Sequence, residues 1–255
     1  MTISVAIATF NGEKYIAQQI SSILCQLDTQ DEIVISDNYS TDKTIEIIKG
    51  FNDSRIKIFY KQRESNNSST NCYFNFENAL IETKGEIVFL ADQDDLWSDN
   101  KVSECLKALE VYDVVVSDCI VISENGEILL DSFFKRRKSR TGLLKNFIAN
   151  SYIGSCIAFK RKILNIALPF PQKMPMHDIL LGTVAELFFK TSFIPKQLVY
   201  YREHTNNVSF TAKGISEFTL FKKIEFRLNI IKCLPLLFFR KYFRNIPKDF
   251  LKAKI

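Results

Sequence analysis

The chain has 255 residues, 46% of them hydrophobic and 25% charged, which reads as globular: one large domain, or a domain with an appendage. Its six cysteines (25, 72, 105, 119, 156 and 233) are scattered without a CxxC pair, which argues against a zinc cluster or a disulfide framework and suits a reducing cytosol. The net charge of +5 is uneven: Lys213 to Ile255 holds 11 Lys/Arg against 3 Asp/Glu, so residues 1–212 are net acidic by three.

Ile3 to Thr9 is a nearly all-apolar run, as expected of a strand covered on both faces. It follows Met1-Thr2 directly, without the basic segment, apolar core and cleavage site of a signal peptide. Phe10-Asn11-Gly12 breaks the run. Lys14 to Cys25 then places Tyr15, Ile16, Ile20, Ile23 and Leu24 at helical spacing. Glu32 to Ser36 predicts a second strand, and Asp37 to Asp42 is a polar loop rich in helix-capping residues. A helix over Thr44 to Phe51 and a strand over Arg55 to Tyr60 follow. After a polar loop, Tyr73 to Glu82 predicts a helix, Glu86 to Ala91 a fourth strand, Asp99 to Tyr112 a helix and Asp113 to Ser117 a strand. This alternation implies right-handed crossovers and a mostly parallel sheet flanked by helices.

Beyond Ser117 the pattern changes. Cys119 to Ser123 and Glu127 to Leu130 predict a hairpin around Asn125-Gly126. The basic stretch Phe133 to Arg140 predicts a mobile loop. Tyr152 to Lys160 predicts a strand containing Gly154-Ser155, Ile179 to Lys190 a helix beginning near Asp178, and Ser192 to Tyr201 a further strand. In the basic tail, divided by Pro235 and Pro247, the longest apolar run (Cys233 to Phe239) is too short to span a bilayer. Leu220, Phe221, Ile224, Leu228 and Ile231 fall on one helical face. That face either packs on the core or lies in the plane of a membrane; the basic and apolar mixture favours a membrane surface over nucleic acid.

The chemistry gathers at Asp92-Gln93-Asp94-Asp95, directly after the apolar run Ile87 to Leu90. Carboxylates so close repel unless solvent, a base or a cation neutralises them, and hard divalent cations favour such oxygen ligands. A solvated acidic turn is the alternative. Thr9 to Asn11, Asp37 and Asp92 to Asp94 all fall at the carboxyl ends of predicted strands, where open α/β sheets bind ligands.

The ordered set Val5-Ala6-Ile7-Ala8-Thr9-Phe10-Asn11-Gly12, Ser36-Asp37-Asn38-Tyr39-Ser40-Thr41-Asp42, Asp92-Gln93-Asp94-Asp95-Leu96-Trp97 and Met176-His177-Asp178 resembles the family 2 glycosyltransferases, inverting enzymes of the GT-A (Rossmann-like) fold. It is most similar to bacterial members that build O-antigen, capsule and other surface polysaccharides, often with deoxysugars such as rhamnose. The resemblance covers about Ile3 to Val208. It implies a GT-A domain over residues 1–212, with a nucleotide-binding half (1–117) and an acceptor-binding half (118–212), followed by a basic amphipathic helical tail (213–255).

By position, the resemblance assigns the nucleotide-sugar donor to Thr9, Asn11, Glu13, Asp37, Asp92, Gln93 and Gly154. It assigns a Mn2+ or Mg2+ ion to Asp94 and His204, the acceptor to Trp97 and His177, and the catalytic base to Asp178. His177 stands where the family usually has glutamate, and Tyr39 where many members have a small residue. The acceptor is expected to be a lipid-linked oligosaccharide or growing glycan, and the protein to be cytoplasmic, peripheral at the inner face of the cytoplasmic membrane. Two rival classes remain. A nucleotidyltransferase acting on sugar phosphates would show a glycine-rich basic loop after its first strand, which Thr9 to Glu13 lacks. A non-enzymatic cation- or nucleotide-binding domain would not need the elements that continue past the fourth strand to Asp178.

Overall fold

The computed structural model describes residues 1–205 and 219–243. The proposed boundary at 212/213 and the tail beyond Phe243 lie outside the described residues. Strands β1 (Ile3–Thr9), β2 (Glu32–Asp37), β3 (Ile56–Tyr60) and β4 (Ile87–Asp92) alternate with helices α1 (Ile16–Leu24), α2 (Thr44–Gly50) and α3 (Ser68–Glu82). They form a parallel sheet in the order β3-β2-β1-β4. Apolar residues fill β1, β2 and β4 because both faces of the sheet are covered: Val5, Ile7, Ile33, Ile35, Phe89 and Leu90 are all fully buried. Each such side chain contributes about 1.5–3 kcal/mol relative to exposure.

The chain steps from β1 to β2 to β3 on one side, then returns to place β4 on the other side of β1. That reversal makes a crevice at the carboxyl ends of β1 and β4, where Ala8 pairs with Asp92 while Thr9 pairs with Asp37.

Past β4 the sheet becomes mixed. The two-residue β5 (Leu96–Trp97) precedes α4 (Lys101–Leu109), then β6 (Val114–Ser123) and β7 (Ile128–Leu130). The predicted strands at Asp113 to Ser117 and Cys119 to Ser123 are one strand, β6, with register shifts flanking Asp118. The hairpin forms as expected, with Gly126 at φ +88° in its turn. The basic stretch predicted as a mobile loop instead contains α5 (Phe133–Arg137). Ser132 caps it by accepting a hydrogen bond from the Lys135 amide, and Phe133 anchors it in the core.

Two short helices, α6 (Leu143–Ile148) and α7 (Leu164–Ala167), flank β8 (Ile157–Lys160). The predicted strand from Tyr152 is a 3-10 turn at Gly154–Cys156 before β8 begins. Then come α8 (His177–Phe188) and the long β9 (Thr191–Glu203). Strand β8 pairs antiparallel to both β4 and β6, and β9 runs parallel to β6 and antiparallel to β5.

The last described element, α9 (Leu220–Phe243), runs through Pro235 rather than being divided by it. Proline removes one backbone hydrogen bond, and packing compensates: Ile230, Cys233, Leu237 and Arg240 are buried, with Arg240 Nη1 donating to the carbonyls of Ile166 (3.0 Å) and Ala167 (3.1 Å). The expected face of Leu220, Phe221, Ile224, Leu228 and Ile231 is exposed. The helix therefore both packs on the core and presents an apolar surface. Among the described residues, no helix is long and apolar enough to cross a membrane.

Candidate active site

Three strand ends meet at the crevice. The amides of residues 10–13 are each taken by a side chain from a neighbouring loop. Phe10 donates to Gln93 Oε1 (2.9 Å), Asn11 to Ser40 Oγ (2.8 Å), Gly12 to Thr44 Oγ1 (2.7 Å) and Glu13 to Asp42 Oδ2 (3.1 Å). In return, Asn11 Oδ1 accepts from the Thr41 amide and Glu13 Oε2 from the Lys43 amide. Asn11 sits at φ 49°, a left-handed conformation that asparagine tolerates better than most residues.

Asp37, fully buried, accepts from Thr9 Oγ1 (2.8 Å) and from the amide (2.7 Å) and hydroxyl (2.6 Å) of Ser40. Its carboxylate thereby braces the β2 loop. Tyr39 also has positive φ (59°), and its exposed ring leans on Tyr60. Such a backbone is the kind that glycine adopts most readily.

Gln93 is engaged on both sides of its amide by the Phe10 backbone (2.9 and 3.2 Å), tying the acidic turn to the β1 loop. A side chain at Gly12 would place its Cβ 2.5 Å from Gln93 Oε1, so this brace requires glycine there.

The acidic turn carries more negative charge than its protein neighbours offset. Burial, then Asp94, then Asp178, raise the Asp92 carboxyl to about 7, against the lowering effect of Lys101. Burial and the charges of Asp94 and Asp92 push Asp95 well above the carboxylate range. Asp94 Oδ2 lies 2.9 Å from His204 Nε2, and the His204 ring stacks on Tyr15 at 5.1 Å. Arg202 is buried: its amide donates to Asp95 Oδ1 (2.9 Å), its Nε to the Asp94 carbonyl (3.0 Å) and its Nη1 to the Glu124 carbonyl (3.1 Å). It clamps the acidic turn to β9 rather than facing solvent.

Among the described residues no group of three or more metal-binding side chains converges. The Asp94–His204 pair nevertheless fits a hard divalent cation that draws its remaining ligands from diphosphate and water. A cation there would in turn favour the ionised forms of Asp92 and Asp95.

Sequence reading missed Lys101. Its side chain is fully buried, its Nζ donates to the Ser155 carbonyl and lies 4.2 Å from the centre of the Trp97 ring, and its charge acts on both Asp92 and Asp95. The signal was its register: Lys101 falls at i, i+4, i+8 with Cys105 and Leu109 on the buried stripe of α4. Trp97 is 3% exposed, packed on Phe89 and Lys101. A part in acceptor recognition would therefore act through its neighbours.

The remaining expected residues lie at the start of α8. His177, 3% exposed, stacks on Phe76 at 3.9 Å, and burial lowers its pKa to about 3, so it is neutral. Its Nε2 lies 2.5 Å from where a Cβ on Gly154 would sit, so the 3-10 turn approaches this ring closely enough to require glycine. Asp178 follows on the first turn of α8, where the helix dipole favours a carboxylate. The helix N-cap is Met176, not Asp178, although Asp178 Oδ1 does accept from the Ile179 amide (2.7 Å). Asn150 Nδ2 reaches Asp178 Oδ2 at 3.4 Å. Burial outweighs these hydrogen bonds and raises the Asp178 carboxyl to about 6. Asp178 is one of the charges acting on Asp92, and Cys72 of α3 feels Asp92, Asp178 and Asp94 together. The acidic turn and Asp178 thus share one electrostatic environment.

The chain as a whole is similar to known proteins. The sequence model described as glycosyl transferase family 2 matches residues 4–166. The chain is 29% identical to the dTDP-rhamnosyl transferase RfbG of Shigella flexneri over 81% of its length and 76% of the relative's. It is 26% identical to WfaP of Escherichia coli, a UDP-Glc:alpha-D-GlcNAc-diphosphoundecaprenol beta-1,3-glucosyltransferase, over 92% and 87% of the two chains. Among solved structures, TarS 1–349 of Staphylococcus aureus in complex with UDP-GlcNAc superposes with a TM-score of 0.66 at 21% identity, covering 98% of this chain and 69% of that one. That likeness identifies the fold as GT-A. The chain belongs to glycosyl transferase family 2, and it is a glycosyltransferase.

Proposed function

We propose that the protein transfers a sugar, with inversion, from a nucleoside diphosphate donor to a hydroxyl of a lipid-linked or growing glycan in bacterial surface polysaccharide synthesis. The observation that carries this reading is the pairing of one acidic turn at the sheet's crevice with a second, separate carboxylate, Asp178, in the same field. The braced loops at Thr9, Asn11, Glu13 and Asp37 form one wall of the donor site, and Gln93 fixes the acidic turn against it. Asp92 faces the ribose or the metal, and Gly154 borders the transferred sugar. Asp94 and His204 hold a Mn2+ or Mg2+ ion, which when bound neutralises charge on the departing diphosphate.

Inversion requires the acceptor hydroxyl to attack from the face opposite the leaving group. Asp178 is the base on that face, and its raised pKa brings a carboxylate into a useful range for taking that proton. His177, buried and neutral, sets the start of α8 and thereby the position of Asp178. The names of relatives acting on diphosphoundecaprenol-linked sugars support a lipid-linked acceptor. The exposed Leu220, Phe221 and Ile224 beside Lys222 and Lys223 on α9 support a peripheral position at the inner face of the cytoplasmic membrane.

A thermal-shift panel of nucleotide sugars with Mn2+ or Mg2+ tests the donor class. The matching donor at a hundredfold excess over its Kd stabilises by about 2.7 kcal/mol, a rise in Tm of roughly 5–10 °C, and chelation removes it. No metal-dependent shift with any nucleotide sugar would overturn the reading.

A further inference from the structure

Helices α6, α8 and α9 enclose a cavity of about 270 Å3. Its carbon lining comes from Leu143, Leu144, Phe147, Ile179, Ile230 and Leu234. The polar groups in its wall are occupied. Glu186 accepts from the Gly142 amide (2.9 Å), Asn146 Nδ2 (3.0 Å) and the Tyr152 hydroxyl (2.9 Å), and Thr183 donates to the Ile179 carbonyl (2.7 Å). The contact of Tyr152 with α8 depends on Gly182, where a Cβ would fall 2.7 Å from the ring. The cavity is therefore built around a fixed polar frame but presents an apolar surface.

Helix α6 buries none of its own residues, and Leu144 (73% exposed) and Ile231 (48% exposed) flank the opening. Contiguous exposed apolar side chains of this kind mark an interaction site. Positive charge accompanies them: Arg227 of α9 donates to the Ile148 carbonyl, joining the two helices. Lys145 lies within α6, where its ammonium donates to the Ala149 carbonyl (2.9 Å) and the Ser151 hydroxyl (2.6 Å), and the Arg140 carbonyl accepts from Asn146 Nδ2 of the cavity wall (3.1 Å); the charges of Arg137 and Arg140 also reach Lys145. Finally, Asn150 lines the cavity and reaches Asp178, and Ile179 lines it directly after Asp178. Apolar space, a cation cluster and the candidate base are thus neighbours.

We infer that this groove holds the phosphate-proximal part of the hydrocarbon chain of a lipid-phosphate acceptor, with Lys145, Arg137 and Arg140 receiving the phosphate. At about 30 Å3 per water-sized group, the cavity takes roughly nine or ten heavy atoms, about two prenyl units. The rest of the chain leaves along the exposed face of Leu228, Ile224 and Leu220. A nucleic acid or acidic peptide would supply the anion but nothing for the carbon-lined space. This inference rests on the proposed acceptor class.

The test uses the full chain, with farnesyl phosphate as probe in the presence of a chelator so that no metal-diphosphate site contributes. Calorimetry is expected to show farnesyl phosphate binding at least tenfold tighter than inorganic phosphate. Leu144→Glu and Ile231→Glu, both at exposed positions, are each expected to weaken it at least tenfold, and Arg140→Gln to weaken farnesyl phosphate but not farnesol. Absence of binding, or binding that both glutamate variants leave unchanged, overturns the inference. So does a variant that loses sedimentation with phosphatidylcholine–phosphatidylglycerol vesicles while keeping farnesyl phosphate, since the face would then be a membrane surface. The metal-dependent thermal shift with nucleotide sugars, measured on the same variants, reports the donor reading separately.

Discussion

The two sides of the site are built in opposite ways. On the proposed donor side, four consecutive amides after β1 are satisfied by side chains that follow two other strands, so the loops form one braced unit. On the proposed acceptor side, α6 buries no residue and is held by scattered contacts, among them Glu186 with Gly142 and Asn146, and Arg227 with the Ile148 carbonyl. A charged donor and its cation need groups held in place before binding. An acceptor with a long apolar part needs exposed carbon surface instead. Changes on the donor side should therefore alter binding of nucleotide and metal, while changes around α8 should alter turnover and leave donor binding alone.

The largest expected effect follows from Asp178→Asn. General-base catalysis contributes about 10²–10⁴-fold, so transfer should fall by that factor while calorimetric donor affinity stays within about twofold. Near-normal turnover would remove Asp178 from the role of base. The wild-type pH profile gives an independent check. The Asp178 carboxyl is raised from 3.8 to about 6, and only its ionised form accepts a proton. The part of turnover set by Asp178 should be level from about pH 7 upward, halve near pH 6 and fall about tenfold per unit below it. A profile level down to pH 4.5 would contradict it.

Next in size is Asp94→Ala, which removes one of the two side chains of the proposed cation pair. Metal-dependent affinity for a nucleoside diphosphate should weaken at least tenfold, roughly 1.4 kcal/mol, while the affinity measured in chelator stays constant. Equal affinities with Mn2+ before and after substitution would place the cation elsewhere.

Lys101→Met tests the buried ammonium that donates to the Ser155 carbonyl and whose charge acts on Asp92 and Asp95. Removing one partner from a buried charge cluster costs about 3–5 kcal/mol, a fall in Tm of roughly 10 °C. A methionine that leaves Tm unchanged would show that the Lys101 charge does not hold Asp92 and Asp95.

The alternation of apolar strands with helices was enough to bring Thr9, Asp37 and Asp92 to one edge, because doubly covered strands are continuous apolar runs and their carboxyl ends are fixed by chain direction. What stayed hidden depended on single side-chain contacts. Gln93 beside the acidic residues suggested a donor contact, and only the structure shows its amide bonded to Phe10. Lys101 drew no reading of its own within the predicted helix, and only its register with Cys105 and Leu109 marks it as facing inward. Segments 133–140 and 143–148 are short and partly exposed, so their helices lack the apolar stripe that identifies longer ones.

The smallest effect concerns the seam between the 3-10 turn and α8. An alanine at Gly154 would place its Cβ 2.5 Å from His177 Nε2, and the ring is stacked on Phe76 at 3.9 Å with little room to withdraw. Overpacking of this kind costs about 1–3 kcal/mol, roughly 5 °C in Tm. His177→Ala opens the space, so Gly154→Ala should cost less in that background, with a coupling of about 0.5–3 kcal/mol. Turnover should follow the same coupling, because Asp178 is the next residue on the helix, while metal-dependent donor binding should not. Strictly additive losses would mean that the turn moves aside without pressing on His177, and that the position of Asp178 is set by Asn150 and the helix alone.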